Sequence, residues 1–194
     1  MPYIQAATNN IFGLMPDNGP QGRTNLYSVS ATETLNIFSG DALVWTSNGM
    51  TVRPVLTADL SSVNPWAGVA AGPLSTASFA LGTFNLLVYD DPMQVYAIAV
   101  TTSLGMGTSN YGKAFNLVSS STGTGVVSTT LDRSKHALQV LASTVSDYLK
   151  MVGLHPVEAL GPSGYVVTTS VGKPQKYLVM PNPSAFNTGI APTT

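Results

Sequence analysis

Asp90 and Asp91 are adjacent carboxylates, the side chains in this sequence best suited to acid–base chemistry. Two acids can protonate and deprotonate the two sides of one bond, or together hold Ca²⁺. On an extended chain, however, consecutive side chains point to opposite faces, which keeps neighbouring carboxylates from flanking a single bond. Pro92 follows at once, and Asp and Pro both favour turn positions, so the pair reads as turn chemistry.

The remaining candidates are thinner. His136 and His155 are the only imidazoles. A Ser-His-Asp set can be written from His136, Asp132 and any of the many serines, but no Gly-x-Ser-x-Gly elbow gives it a location. His155 precedes Pro156, a loop-like setting. With no Cys and two His, a transition-metal site would need scattered carboxylates, and no ligand spacing is present. Gly105-Met106-Gly107 runs into Thr108-Ser109-Asn110 and so lacks the dinucleotide fingerprint; no Walker lysine motif occurs. Trp45 and Trp66 could stack on sugars, yet both lie in β-like runs where core packing is the commoner use. Asp132-Arg133-Ser134-Lys135 reads as a solvated charged cluster. The expectation is a protein that is not an enzyme, with no catalytic residue, cofactor or metal.

The elements that carry these residues are short. Tyr27-Ser28-Val29, Leu35 to Phe38, Ala42 to Trp45 and Met50 to Val55 are β-like runs, with turn signals at Ser39-Gly40-Asp41 and Ser47-Asn48-Gly49. Asn64-Pro65-Trp66-Ala67-Gly68-Val69-Ala70-Ala71-Gly72-Pro73 is a small-residue strand bounded by Gly-Pro, suited to close approach of another backbone or sheet. Asn85 to Tyr89 and Met93 to Thr101 flank Asp90-Asp91-Pro92 as a hairpin-like unit, its second strand apolar on both faces. Ala114 to Val118, Val145 to Val152, Tyr165 to Val171 and Lys176 to Met180 complete the β set; Ser134 to Leu141, with Ala137, Leu138 and Leu141 in step, predicts one short helical turn. Turn chemistry every eight to twelve residues favours a sandwich or barrel over βαβ units.

Residues 1–25 and 181–194 differ from this body, being rich in Pro and Gly. Their apolar residues suit arms that lie on the chain's own barrel or on a neighbour. The expected organisation is an N-terminal arm over 1–25, a single mainly-β body over 26–180 and a C-terminal tail over 181–194. The body is an antiparallel barrel or sandwich with at most one or two short helices.

Composition narrows the function. Charged residues make up 9% of the 194 residues, where about 25% is usual. A surface covered by Ser, Thr, Asn and Gly repels other copies weakly and is cheap to desolvate, as interface cores are. Eight Lys and Arg, scattered singly, with a net charge of −1, provide no basic face for nucleic acid. No stretch approaches the roughly 20 apolar residues that span a bilayer. The first ten residues lack a basic and then apolar leader pattern, so no secretory signal is expected. Without Cys, disulfides and thiolate sites are excluded and the redox compartment stays open.

The ordered series SGDAL, WAGVAAG, VYDDPMQVYAIAV, STTLD, YLKMVGLHP and GYVVTTSV, spanning Leu35 to Val171, resembles virion structural proteins of tailed bacteriophages, in particular small head proteins that decorate or cement the capsid. The VYDDP run is its most specific element, and both termini fall outside it. The resemblance implies a protein that acts by position: made in the host bacterial cytoplasm, then bound to the major capsid protein on the phage head. A self-associated form is implied too, a homotrimer ahead of a dimer, with no nucleic-acid or membrane partner. The residues expected to meet a partner are Ile4, Ile11 and Phe12 in one arm, Phe186 and Ile190 in the other, and the strand around Trp66. The alternative is a phage tail or baseplate component, or a receptor (glycan)-binding β module.

Overall fold

A computed structural model describes residues 13–17, 23–30, 33, 36–46, 49–56, 64–75, 84–99, 111–115, 117–119, 136–138, 148–154 and 176–182. These residues form strands and, among themselves, no helix. In chain order the strands are β1 (Met15–Pro16), β2 (Thr24–Val29), β3 (Ala42–Trp45), β4 (Val52–Pro54), β5 (Trp66–Ala70) and β6 (Phe84–Tyr89). They continue as β7 (Tyr96–Ala99), β8 (Ala114–Phe115), β9 (Leu117–Ser119), β10 (His136–Leu138), β11 (Leu149–Leu154) and β12 (Lys176–Pro181).

β2, β4, β3, β5 and β6 close into a barrel in that order. A second sheet runs β1-β7-β12-β11-β8, and β9 pairs with β10 as a two-stranded ribbon. The chain is therefore mainly β, as expected, but its barrel is mixed rather than antiparallel. The reason is geometric: strand direction cannot alternate all the way round a ring of five. One seam must be parallel, and it falls between β2 and β4, through the single pair Val29↔Val52. The other barrel seams and the whole second sheet are antiparallel.

Two cores result. Val29, Ile37, Leu43, Val52, Ala67, Ala70, Leu86 and Val88 fill the barrel. The other core joins the outer side of β3 and β5 to the second sheet: Ala42, Val44, Trp66 and Val69 meet Tyr96, Ile98, Phe115, Leu149, Met151, Tyr177 and Val179. Every residue of β5 is consequently buried. Simple alternation would put Trp66 and Val69 on opposite faces. The register of β5 on β3 shifts between Leu43 and Val44, an extra residue that brings both side chains to the same core. Gly68 makes this possible at φ 149°, since a Cβ there would stand 2.5 Å from the Tyr89 carbonyl oxygen and 2.5 Å from Val88 Cγ1. The close backbone approach suggested by the small residues is thus to β6 of the same chain.

The SGDAL turn knots three segments together. The Phe38 amide donates to an Asp41 carboxylate oxygen at 2.8 Å. The Gly40 amide donates to the Ala70 carbonyl at 2.8 Å, and the Gly40 carbonyl accepts from Leu14 at 2.9 Å. Leu14 is itself a core residue, and β1 pairs with β7. Residues 13–17 and 23–25, read from sequence as arm, are built into the body.

Two further expectations give way. Asn85 to Tyr89 and Met93 to Thr101 do not pair as a hairpin: β6 lies between β2 and β5 in the barrel, while β7 lies between β1 and β12 in the sheet. Their inward residues serve different cores, Leu86 and Val88 one, Tyr96 and Ile98 the other. The helical turn over Ser134 to Leu141 is also absent at its described centre, because His136–Leu138 pairs antiparallel with Leu117–Ser119.

Gly68→Ala is expected to lower the unfolding free energy by roughly 2–5 kcal/mol, the sum of overpacking and backbone strain. Gly49, at φ 66° with nothing within 4 Å of an added Cβ, is the control. Its change to Ala costs about 1–2 kcal/mol of backbone strain alone. Urea unfolding of both variants reads the difference, and equal costs would contradict the close approach at β6.

Candidate interaction site

Alternation along β2 sorts its side chains into two sets. Arg23, Asn25, Tyr27 and Val29 share the inward face, which is polar at the barrel's end and apolar within. β6 runs antiparallel to β2 with Thr24 opposite Tyr89, so the residue after β6, Asp90, arrives beside that polar end. Its carboxylate is held there from three directions. Arg23 Nε donates to Oδ1 at 2.9 Å and a terminal guanidinium nitrogen to Oδ2 at 3.2 Å. Asn25 Nδ2 donates to Oδ2 at 2.7 Å, and the Tyr27 hydroxyl to the same oxygen at 2.5 Å. The Asp90 amide closes the corner on the Arg23 carbonyl at 3.2 Å.

The ion pair is lopsided: the Asp90 side chain is 3% exposed and that of Arg23 is 64% exposed. The guanidinium lies over the carboxylate with its own far side in water. Burial pushes the Asp90 carboxyl up, but the hydrogen bonds from Arg23, Tyr27 and Asn25 together outweigh it and hold the group below the ordinary aspartate value. Burial, then the hydrogen bond to Asp90, pushes the Tyr27 phenol up to about 12. Both shifts favour the carboxylate as acceptor and the Tyr27 hydroxyl as donor, which fastens the end of β6 to β2. The Tyr27 ring carries the fastening inward, packing against Trp45 with centroids 5.1 Å apart.

Asp91 is employed separately. Its Oδ1 accepts from the Met93 amide at 2.8 Å, and its carbonyl from the Gln94 amide at 3.1 Å. The turn reading of the two acids fits this geometry, with a function for Asp90 that its spacing did not reveal. The signal was Arg23-x-Asn25-x-Tyr27, legible only once β2 is taken to begin near residue 24.

The alternate set on β2 faces outward. Leu26 and Leu87 stand directly opposite each other in the β2–β6 ladder, 68% and 45% exposed. Thr24, Ser28 and Asn85 share their face, with Ser28 opposite Asn85. At the Tyr89 end this face runs up against the second core. The far side of the barrel, β3 and β5, is covered by the second sheet, and among the described residues the leucine pair lies on the wall left uncovered. Met50, 76% exposed, and Met93, 70% exposed, add apolar side chains at two turns.

Trp66 is not part of any such surface. It is 2% exposed and packs on Tyr148 at a centroid distance of 6.0 Å. The expectation that the Trp66 strand meets a partner is corrected accordingly: the second sheet of the same chain already covers it. Trp45 is half-buried against Tyr27. Ile4, Ile11, Phe12, Phe186 and Ile190 lie outside the described residues, as do Asp132, Arg133, Ser134, Lys135 and His155. Among the described residues no group of three His, Cys, Asp or Glu is placed to hold a metal ion.

A folded-state carboxyl held below its ordinary value adds stability above the unfolded-state value, about pH 4, and loses it as pH falls through the folded-state value. Asp90→Asn is therefore expected to cost about 1.5–3 kcal/mol at pH 7 and to flatten the acid limb of the stability profile below about pH 4. Asp91→Asn keeps the Oδ1 acceptor and is expected to change stability by less than about 0.5 kcal/mol. Thermal melts between pH 2 and 7 check both, and an acid limb unchanged in Asp90→Asn would assign it to other carboxylates. No protein-family model matches the chain, and no curated protein is significantly similar to it.

Proposed function

We propose that this chain is a non-enzymatic structural protein of a tailed-phage virion, a decoration or cement protein that binds the major capsid protein on the outside of the head. The observation that carries the reading is the surface chemistry. A closed β body in a chain with 9% charged residues presents exposed Leu26, Leu87, Met50 and Met93. Such a surface is poorly adapted to staying dispersed and well adapted to burial against a partner. The chemistry of the acids agrees, since Asp90 is engaged by Arg23, just ahead of β2, and by Asn25 and Tyr27 of β2, and Asp91 by its own turn.

The mechanism is linkage. A ligand that binds only the expanded shell stabilises that shell in proportion to the logarithm of its concentration over its dissociation constant. Many copies, each burying on the order of 1,600 Å², sum to a large effect on a pressurised head. The terminal segments, with Ile4, Ile11, Phe12, Phe186 and Ile190, are the proposed seam contacts. A glycan-binding module is the less favoured reading, because Trp66 is buried and Trp45 half-covered, leaving neither indole as an open sugar platform.

Electron cryo-microscopy of the particle that contains this chain tests the proposal. Density for the barrel and second sheet on the outer capsid surface, in contact with coat subunits, is the expected result. Density on the tail or baseplate, or a chain missing from the finished particle, would overturn it.

A further inference from the structure

We infer that the Asp91–Pro92 peptide bond is a self-cleavage site, at which the Asp91 carboxylate cuts its own chain where it crosses from barrel to second sheet. Of the thirteen prolines in the chain, Pro92 alone follows an aspartate. Such a bond suits internal attack for two reasons. The carboxylate can close a five-membered ring on its own carbonyl carbon, and the proline nitrogen, part of a tertiary amide, departs as a basic secondary amine.

The turn holds the reacting groups together. Asp91 Oδ1 accepts from the Met93 amide at 2.8 Å. That amide lies beyond the scissile bond, so a side chain that reaches it is folded forward over the Asp91 carbonyl carbon. The Asp91 carbonyl oxygen accepts from the Gln94 amide at 3.1 Å, a donor placed where negative charge develops as the carbon becomes tetrahedral. Pro92 is exposed, so water can deliver a proton to its nitrogen. Both ends of the segment are fastened. Asp90 is held by Arg23, Asn25 and Tyr27, and the Val95 carbonyl accepts from the Asp17 amide at 2.9 Å. Fixed ends keep nucleophile and carbonyl within reach of each other, which is the larger part of the barrier to an intramolecular reaction.

In the reaction a carboxylate oxygen of Asp91 bonds to its own carbonyl carbon. The Pro92 nitrogen takes a proton from solvent, and the C–N bond breaks with its electron pair on nitrogen. The products are a cyclic anhydride on Asp91 and a free secondary amine on Pro92. One water then opens the anhydride to two carboxyl groups, so the net change is hydrolysis. The cut leaves β1 to β6 on one fragment and β7 to β12 on the other. β1 still pairs with β7, and the core between barrel and second sheet draws on both fragments, so the cut chain stays one particle.

Intact-mass spectrometry of the purified full chain, held for days at about pH 5, above the acid limb of its stability, reads the cleavage. The expected products are residues 1–91 and 92–194, together one water heavier than the chain, which elute as one particle in native buffer and separate in denaturant. Asp91→Glu, whose attack needs a six-membered ring, and Asp91→Asn, which lacks the carboxylate, should each slow the cut at least about tenfold. Circular dichroism checks that both remain folded. Chain unfolded in urea at the same pH should also be cut at least about tenfold more slowly, because the turn no longer folds the carboxylate over the bond. A chain that stays intact would overturn the inference, as would a cut that persists unchanged in Asp91→Asn. Cleavage as fast in urea as in the folded chain would do the same, since the bond's lability would then owe nothing to the turn.

Discussion

The molecule depends on one wall being buried on both sides. β3 and β5 line the barrel with Leu43, Ala67 and Ala70 while presenting Ala42, Val44, Trp66 and Val69 to the second sheet. A two-sided strand cannot place its large residues freely, because each face has its own close-packed volume to fill. β5 meets this by using small residues toward the barrel and one large one, Trp66, toward the sheet, with a bulge to keep the phases correct. Barrel and sheet are thus two layers of a shared wall rather than two modules joined by a linker.

The Asp90 corner follows from that arrangement. A chain that leaves the barrel after β6 and enters the sheet at β7 must turn outward at the barrel's rim, where backbone and side-chain polar groups lose water. The inward face of β2 meets the turn with donors instead of hydrocarbon, and the result is an ion pair whose acid is buried and whose base is wet. A carboxylate so placed adds side-chain bonds to a corner that the Asp90 amide already closes on the Arg23 carbonyl.

Much of the fold was legible from turn chemistry. The turn signals at Ser39-Gly40-Asp41 and Ser47-Asn48-Gly49 located β3 and β4 to within a few residues, because turns are decided by local backbone preference. What failed was pairing. VYDDPMQVYAIAV has every local mark of a hairpin, and the choice between a hairpin and a crossover rests on which core each strand's inward residues join, a non-local fact. The three-residue strand at His136 was read as helix for a related reason: its spacing carries little information and its partner, β9, lies outside the window. Of the site, the turn role of the acids could be read, whereas the Arg23–Asp90 pair could not, since Pro and Gly around it marked the segment as an arm. The exposed leucines were invisible to alternation until the barrel's inward face was known.

The order of strands also has a consequence for a chain made from its N-terminus. All five barrel strands lie between Thr24 and Tyr89, so the barrel is a contiguous unit available early. The second sheet is not: β1 precedes the barrel, β7 follows it, and β12 arrives only at Lys176. At ribosomal rates of roughly 5–20 residues per second, several seconds separate the two. Through that interval β1 and its partner β7 are already made, while Tyr177 and Val179 of β12, which share the second core with Val44, Trp66 and Val69, are still to come. Until the last strand emerges, the newborn protein is stickier than the finished one.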